Sequence, residues 1–472
     1  AAVSPTPSSL APARSRADAG APPGCARGAG AARPWRLLVL GCLALAAASL
    51  LGPSQPTYDP WSWLIWGREI AHLDLVTTAG PSWKPLPVLF TTPFSLLGDA
   101  AAPLLWLVVA RAGMLLALAL AFRLAARLAG PAAGAIAAAG LLLADRFVSF
   151  SVRGNSEGLL VALVLWAVER HLDGRRRDAL LLGLVAGLLR PEVWALLALY
   201  GLWMVVADRR DGTPWRTLAL LAGGAVLLAL LWFVPEKLGS GDVLRAATRA
   251  REPVADSPAL AAHPFLAVFT NGSSALAAPF YAGAAFAVAG AMRRRATVPL
   301  ALAATATLLM VIVGCLAQIG FTGNLRYVLL PAAIVCVLAG VGWVELVRAV
   351  RSRVAIAALL AACAPFLVLG VLRLGDQLNT VRAEAALEGD LPAIIALGGG
   401  EAAVRGCGQV FTDPFQTSVV AWHLHLHQGQ VGLVPVRRGT TIAPRGTAIA
   451  QDPGFPVLAK SRRWLVASSC GR

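Results

Sequence analysis

Long, mostly apolar runs recur along this chain, and a helix needs roughly 20 such residues to cross the hydrocarbon core of a bilayer. They fall near residues 35–52, 101–127, 131–146, 156–170, 178–190, 191–207, 215–234, 273–292, 297–319, 327–347 and 354–373. Inside a bilayer no water is available to backbone N–H and C=O groups, so such runs close their hydrogen bonds internally as helices. The expected fold is therefore an all-α polytopic membrane protein with about 11 transmembrane helices. Composition agrees: of 472 residues, 57% are hydrophobic and 14% charged, with a mean hydropathy of +0.68. That is too little charge to solvate a soluble multidomain enzyme and too much apolar surface for a disordered chain.

The formal net charge is +16, from 41 Lys and Arg against 25 Asp and Glu. Its distribution reports orientation. Arg14, Arg16, Arg27, Arg33 and Arg36 precede or open the first run, and Arg123 with Arg127 follows the second. Further arginines, at 170 and 175–177, 209–216, 293–295 and 348–353, fill every second connection. Short Arg-rich loops belong on the cytoplasmic side. The N-terminus is thus expected inside and the C-terminus outside, in a multi-pass protein of a cell membrane, and the positive charge requires no nucleic-acid partner. Residues 1–34, rich in Ala, Pro, Gly and Arg, read as a disordered cytoplasmic arm. A cleaved signal peptide is the rival reading of the first run, which is long for that purpose.

Residues 35–373 form the expected membrane domain, with outer loops near 53–100 and 235–272. The tail, 374–472, reads as a small extracytoplasmic α/β domain: turn signals at Asp413-Pro414 and Asp452-Pro453-Gly454 separate short apolar runs. Those runs, expected as strands, are Gln409–Thr412, Val431–Val436, Thr447–Ala450 and Trp464–Ser468. Of seven cysteines only Cys407 and Cys470 lie outside, flanking the first and last of these runs, and are expected to form one structural disulfide. His423, His425 and His427 would share one face of a strand and suit a metal there. Asp413-Pro414 and Gly429, however, read as the start and stop of a helix, on which the three would not converge.

Ionisable residues next to a bilayer are costly and mark function by default. On the outer side they begin with Tyr58-Asp59-Pro60-Trp61 and Trp83-Lys84-Pro85-Leu86-Pro87. Arg153-Gly154-Asn155-Ser156-Glu157, Arg190-Pro191-Glu192 and Asn324-Leu325-Arg326-Tyr327 follow, and Arg111 sits within the second run. A carboxylate here suits a general base, and the cations suit a phosphate leaving group. Trp61 and Trp83 suit sugar faces and equally an interfacial belt; Arg190 with Glu192 also fits a structural ion pair, and Asp59 a helix cap.

That order resembles the GT-C class of polyprenyl-phosphate-sugar-dependent glycosyltransferases, particularly the branch with protein O-mannosyltransferases and the lipid A aminoarabinose transferase. The resemblance spans about residues 35–345, and rests on a carboxylate after the first run, a Lys-Pro-rich segment ending the first outer loop and a second carboxylate before the fourth run. An Asp-x-Asp or Asp-Glu pair after the first run is missing, and Leu86 interrupts the Lys-Pro-Pro-Leu pattern. The resemblance implies inverting transfer, with Asp59 as base, Glu157 orienting the acceptor or helping to hold a divalent cation (Mg or Mn), and Lys84, Arg153 and Arg326 holding the donor phosphate. Tyr58, Trp61, Trp83, Arg190, Glu192 and Tyr327 would line the substrate site. The implied partners are a polyprenyl-phosphate-sugar donor, a glycan, lipid or protein acceptor, and the bilayer; the Ala/Leu/Arg-rich composition points to a bacterium, and so to mannose or arabinose. Two alternatives stand beside it. An O-antigen-ligase-type transferase would use His263 with Arg245, Arg249 and Arg251. A transporter or flippase would need mid-membrane charges and inverted repeats.

Overall fold

In the computed structural model the described residues are 27–209, 212–436 and 438–470. Most of the expected N-terminal arm lies outside them; the first helix, α1 (Arg27–Ala48), already begins within the stretch read as an arm. Between it and the next apolar run lie α2 (Tyr58–Ala71) and α3 (Pro85–Ser95), then α4 (Ala101–Ala129), α5 (Pro131–Leu142) and the short α6 (Phe147–Val152). Next come α7 (Glu157–Leu172), α8 (Arg176–Gly187), α9 (Val193–Arg209) and α10 (Pro214–Ser240). A second long connection carries α11 (Arg245–Ala250) and α12 (Pro264–Ser273) before α13 (Ala278–Arg294), α14 (Thr297–Gln318), α15 (Leu325–Ala349) and α16 (Arg353–Gly389). Every apolar run read from the sequence is helical. Proline starts several of these helices, as in α3, α5, α10 and α12, where its fixed φ suits the first turn and its missing N–H costs no bond.

Five helices among the described residues are long and apolar enough to cross a membrane alone: α4, α10, α14, α15 and the continuous stretch from Arg353 to Leu397. The pair α12 and α13, bent by 102°, would add one. Burial separates their roles. The apolar window of α15 is 83% buried and that of α16 is 0% buried. So α15 is the hub, packed on α13, α5, α14 and α4, while Leu360, Leu367 and Val368 of α16 present their side chains outward, as a lipid-facing helix would. Two glycines allow the hub to close. A Cβ on Gly342 would meet the Gly283 carbonyl oxygen of α13 at 1.8 Å, and one on Gly340 the Ala133 carbonyl oxygen of α5 at 2.2 Å.

Beyond α16 the chain forms α17 (Leu391–Leu397), α18 (Gly400–Gly406), α19 (Thr417–His423) and one mixed sheet. Its strands are β1 (Gln409–Phe411), β2 (Val431–Gly432), β3 (Gly439–Pro444), β4 (Val457–Lys460) and β5 (Trp464–Ser468), in the order β2-β1-β3-β5-β4. β1 runs parallel to β2 and β3; β5 pairs antiparallel with β3 and β4. Two strand expectations need correction. Thr447–Ala450 is a turn running into a 3-10 segment, held by Thr447 Oγ1 donating to the Pro444 carbonyl. The central strand is instead β3, whose Thr440 and Thr441 lower its hydropathy although both are fully buried. The Val431–Val436 run is a strand only at its first two residues, because Pro435 has no N–H to extend a ladder. A disulfide joins Cys407, just before β1, to Cys470, just after β5.

Candidate active site

Five chain segments that are remote in sequence come together at one end of the helical bundle. The Thr57 N–H donates to the Arg153 carbonyl (3.0 Å) and Asn155 Nδ2 to Thr57 Oγ1 (3.0 Å), which sets the start of α2 against the turn before α7. Gly154 takes a left-handed φ of +87° in that turn, and its carbonyl accepts from Trp106 Nε1 at 2.9 Å. The Leu86 N–H donates to the Leu188 carbonyl (3.2 Å), which ties the Lys84 segment to the break between α8 and α9. Asn324 caps α15, its side chain accepting from the Arg326 N–H at 3.2 Å. Local turn and cap chemistry thus delivers one ionisable side chain from each segment to a common point.

At that point Arg326 is the connector. Its Nη1 donates to Asp59 Oδ2 at 2.8 Å and its Nε to Glu157 Oε1 at 2.8 Å. Arg190 Nη2 donates to the same Glu157 oxygen at 2.9 Å, and its guanidinium lies 4.2 Å over the Tyr327 ring. Lys84 Nζ is 3.4 Å from Ser156 Oγ and 5.1 Å over the Trp63 ring. Burial, with the Arg190 and Arg326 guanidinium groups, pushes the Lys84 ammonium down to about 7 despite Glu157 and Asp59 nearby. Within this ion-pair group the buried Arg326 Nη2 and Glu157 Oε2 carry no hydrogen bond. An unpaired guanidinium N–H beside a lysine held part-neutral is a site prepared for an anion.

These groups open onto a cavity of about 890 Å³ lined by Asp59, Lys84, Arg190, Arg326, Tyr58 and Tyr327 from the helical part, and by residues 413–417, 428, 429, 431 and 433 of the C-terminal domain. Glu157 lies just behind this wall, 1% exposed, joined to it through Arg326. The substrate-lining reading needs correction at three positions, none of which lines the cavity. Trp61 is buried against Trp422, its Nε1 donating to Glu388 at 2.9 Å. Trp83 is buried on Trp66 and donates to the Leu231 carbonyl at 3.0 Å. Glu192 sits 3.9 Å from Arg190 on its far side. Each ring or carboxylate has found a protein partner first.

Arg153 does line the cavity, but it is not joined to Lys84 and Arg326: it pairs with Glu384 and lies 4.0 Å from Glu388. Sequence reasoning overlooked these two glutamates of α16. Their i,i+4 spacing near the end of a long apolar helix was the available signal. Arg111 is a packing residue, donating to the carbonyls of Val152, Ser49 and Pro53. His263 is absent from the cavity wall, and Arg245 is spent on Glu236 and on the carbonyls of Gly80 and Pro81.

The residues present do not suit a divalent cation. The guanidinium of Arg326 occupies the space between the two carboxylates that would share it, and Lys84 and Arg190 add further positive charge. Among the described residues no cluster of three or more His, Cys, Asp or Glu is placed to hold a metal. The histidine run disperses as well: α19 ends at His423 instead of continuing to Gly429, and the three imidazoles meet different partners.

No family model matches this chain, and no curated protein matches it. Solved structures do. The crystal structure of ArnT from Cupriavidus metallidurans in the apo state superposes with a TM-score of 0.57 at 16% identity, covering 93% of this chain and 98% of that one. The same protein bound to undecaprenyl phosphate gives 0.58 at 16% identity, with the same coverage. The archaeal oligosaccharyltransferase AglB from Archaeoglobus fulgidus, in complex with an inhibitory peptide and a dolichol-phosphate, gives 0.44 at 13% identity, over 88% of this chain and 70% of that one. The chain therefore has the fold of ArnT over nearly its whole length.

Proposed function

We propose that this protein is an integral membrane glycosyltransferase that moves a sugar from a polyprenyl phosphate to an acceptor hydroxyl with inversion at the anomeric carbon. The observation that carries this is the joining of Asp59 and Glu157 through Arg326, beside the part-neutral Lys84, in one cavity of an ArnT-like fold. ArnT binds undecaprenyl phosphate, which supports the same carrier class here.

The step is a single displacement. The acceptor hydroxyl oxygen attacks the anomeric carbon; the bond from that carbon to the phosphate oxygen breaks, and its electron pair leaves on the phosphate. Asp59 takes the hydroxyl proton on Oδ1, its Oδ2 being held by Arg326 at 2.8 Å. Arg326 Nη2, Arg190 and Lys84 stabilise the charge that develops on the departing phosphate. Arg190 replaces Arg153 in this set, since α16 already neutralises Arg153. Glu157 holds Arg190 and Arg326 in register and has no contact of its own with the reacting atoms.

The proposed topology has eleven crossings in the membrane domain, 35–373, with a cytoplasmic arm before it and the C-terminal domain, 374–472, outside. The arginine distribution supports it, as do eleven helices at the eleven apolar runs. The site then faces the outer leaflet, from which a lipid-borne sugar enters sideways. The acceptor is a glycan, lipid or protein hydroxyl, and the donor sugar a hexose or pentose. Reconstituted protein supplied with a panel of synthetic polyprenyl-phosphate sugars should turn over at least one; turnover of none, with gradient-driven uptake into liposomes instead, would assign a transporter.

A further inference from the structure

Sugar transfer has no use for the His423-x-His425-x-His427 run, yet the run sits where the C-terminal domain meets the connection 58–100. His425 Nε2 is 2.8 Å from Asp99 Oδ2, and its Nδ1 is 3.1 Å from Glu401 Oε2. His427 Nδ1 is 2.7 Å from Glu69 Oε1, and its Nε2 is 3.3 Å from Asp74 Oδ2. Each ring is thus held between two carboxylates, one at each nitrogen. A neutral imidazole has one N–H and one lone pair, so it donates to a single carboxylate while its bare nitrogen faces a second anion. Only the imidazolium donates to both.

We infer that His425 and His427 form a proton-operated latch that clamps the C-terminal domain as a roof over the cavity, closed when both imidazoles are charged and loosened when they are neutral. The placement makes the latch consequential. The residues on either side of the run, Asp413 to Thr417 before it and Gln428, Gly429, Val431 and Leu433 after it, line the cavity, so any displacement of 423–427 moves its wall. A loosened roof would widen the entrance for the acceptor and admit water to the donor. That consequence rests on the transferase reading; the latch itself does not.

The remaining charged groups around the two rings define what changes. From α2, Arg68 Nη1 donates to the Trp422 carbonyl (3.0 Å), its guanidinium stacks 4.5 Å over the Trp422 ring, and it lies 4.0 Å from Asp99. From α18, Arg405 pairs with Glu401 at 2.8 Å. His72 is turned away, its Nδ1 against the Arg68 carbonyl. His423 is half-buried, and desolvation pushes its imidazole down to about 4 and keeps it neutral. Asp99 and Glu401 therefore retain a cation when His425 loses its proton. Glu69 does not. It is 6% exposed, burial raises its carboxyl, and without the His427 charge its close bonds reduce to the Val76 N–H at 3.0 Å and whatever a neutral ring still donates. Arg68 and the Ser62–Ser418 hydroxyl pair (2.9 Å) join the same two parts through contacts that do not involve the two imidazoles.

Hydrogen exchange on the full chain in lipid nanodiscs tests this. After correction for the intrinsic pH dependence of exchange, amides in 417–433 should lose about tenfold in protection between about pH 5.5 and about pH 8.5. His425→Gln with His427→Gln should abolish that response. A wild-type protection independent of pH, or a response that survives the double substitution, overturns the latch. Should that variant fail to fold, Glu69→Gln with His427→Gln removes both the buried anion and its partner, and a response left whole in it also overturns the proposal. Exchange is read without turnover, so a chain that transfers no sugar yet shows the response keeps the latch and loses the transferase, and an active chain without it does the reverse.

Discussion

Arg326 Nη1 and Asp59 Oδ2 stand 2.8 Å apart, across 267 positions of sequence. The same guanidinium reaches Glu157 through Nε, so one side chain from the hub helix α15 fixes two carboxylates and leaves Nη2 unpaired. Preorganisation of this kind places charge before the substrate arrives.

Asp59→Asn keeps an oxygen for Arg326 but cannot accept the acceptor proton. Transfer should fall about 100-fold to 10,000-fold in kcat, the range for a lost general base, with donor binding retained within a few-fold. Steady-state kinetics together with a donor-binding titration separate these, and full transfer by the variant would remove Asp59 from the chemistry.

Arg326→Ala strands Glu157 in a buried position with Arg190 as its remaining hydrogen-bonded cation. A loss of about 3 kcal/mol is expected from breaking a buried pair on one side, read as a lower thermal midpoint in nanodiscs. Arg153→Ala should leave donor affinity nearly unchanged, since that guanidinium is engaged by Glu384. Equal losses of donor affinity in Arg153→Ala and Arg190→Ala would contradict the reassigned phosphate set.

Lys84 titrates from about 7 in the folded protein, below the 10.5 of a free lysine. Between these values the unfolded chain binds the extra proton, so this residue makes stability rise with pH across the window from about 7 to about 10.5. Binding runs the other way. A phosphodiester draws the proton back onto Lys84, so donor affinity should be flat below about pH 7 and fall by up to tenfold per unit above it. Calorimetric titration between about pH 6 and pH 9 checks this, and Lys84→Arg should flatten the profile, because arginine stays charged throughout.

Gly342→Ala puts a methyl group 1.8 Å from the Gly283 carbonyl oxygen, so α15 and α13 must separate. Overpacking of this kind costs about 1–3 kcal/mol or more and should lower the yield of folded protein. Gly375→Ala on α16 meets nothing within 4 Å and should be silent in the same assay.

Several features were legible from residue order. Apolar runs placed eleven of the helices, because a bilayer leaves the backbone no alternative, but not α2, α3, α6, α11 or α12, which lie in stretches read as connections. Asp59, Lys84, Glu157 and Arg326 stood out because charge next to apolar spans is expensive. Cys407 and Cys470 were marked by lying outside those spans. Hydropathy failed at β3, where Thr440 and Thr441 are buried and the Thr441 hydroxyl donates to the Ala467 carbonyl, and at Thr447–Ala450, where a local hydroxyl–carbonyl bond won over extension.

Tertiary structure decided which of the marked groups meet. Arg190 and Arg153 look alike in sequence, yet packing sends one to Glu157 and the other to Glu384. Trp61 and Trp83 had the right chemistry for a sugar and were consumed by Glu388 and the Leu231 carbonyl. The histidine run, read as metal ligands or a helix face, became a set of bridges to Asp99, Glu401, Glu69 and Asp74. The physical reason is one of range. Periodicity and capping act over a few residues and so can be read along the chain; ion pairs and burial act across elements, and they exist only once α15, the 58–100 connection and the C-terminal domain have come together.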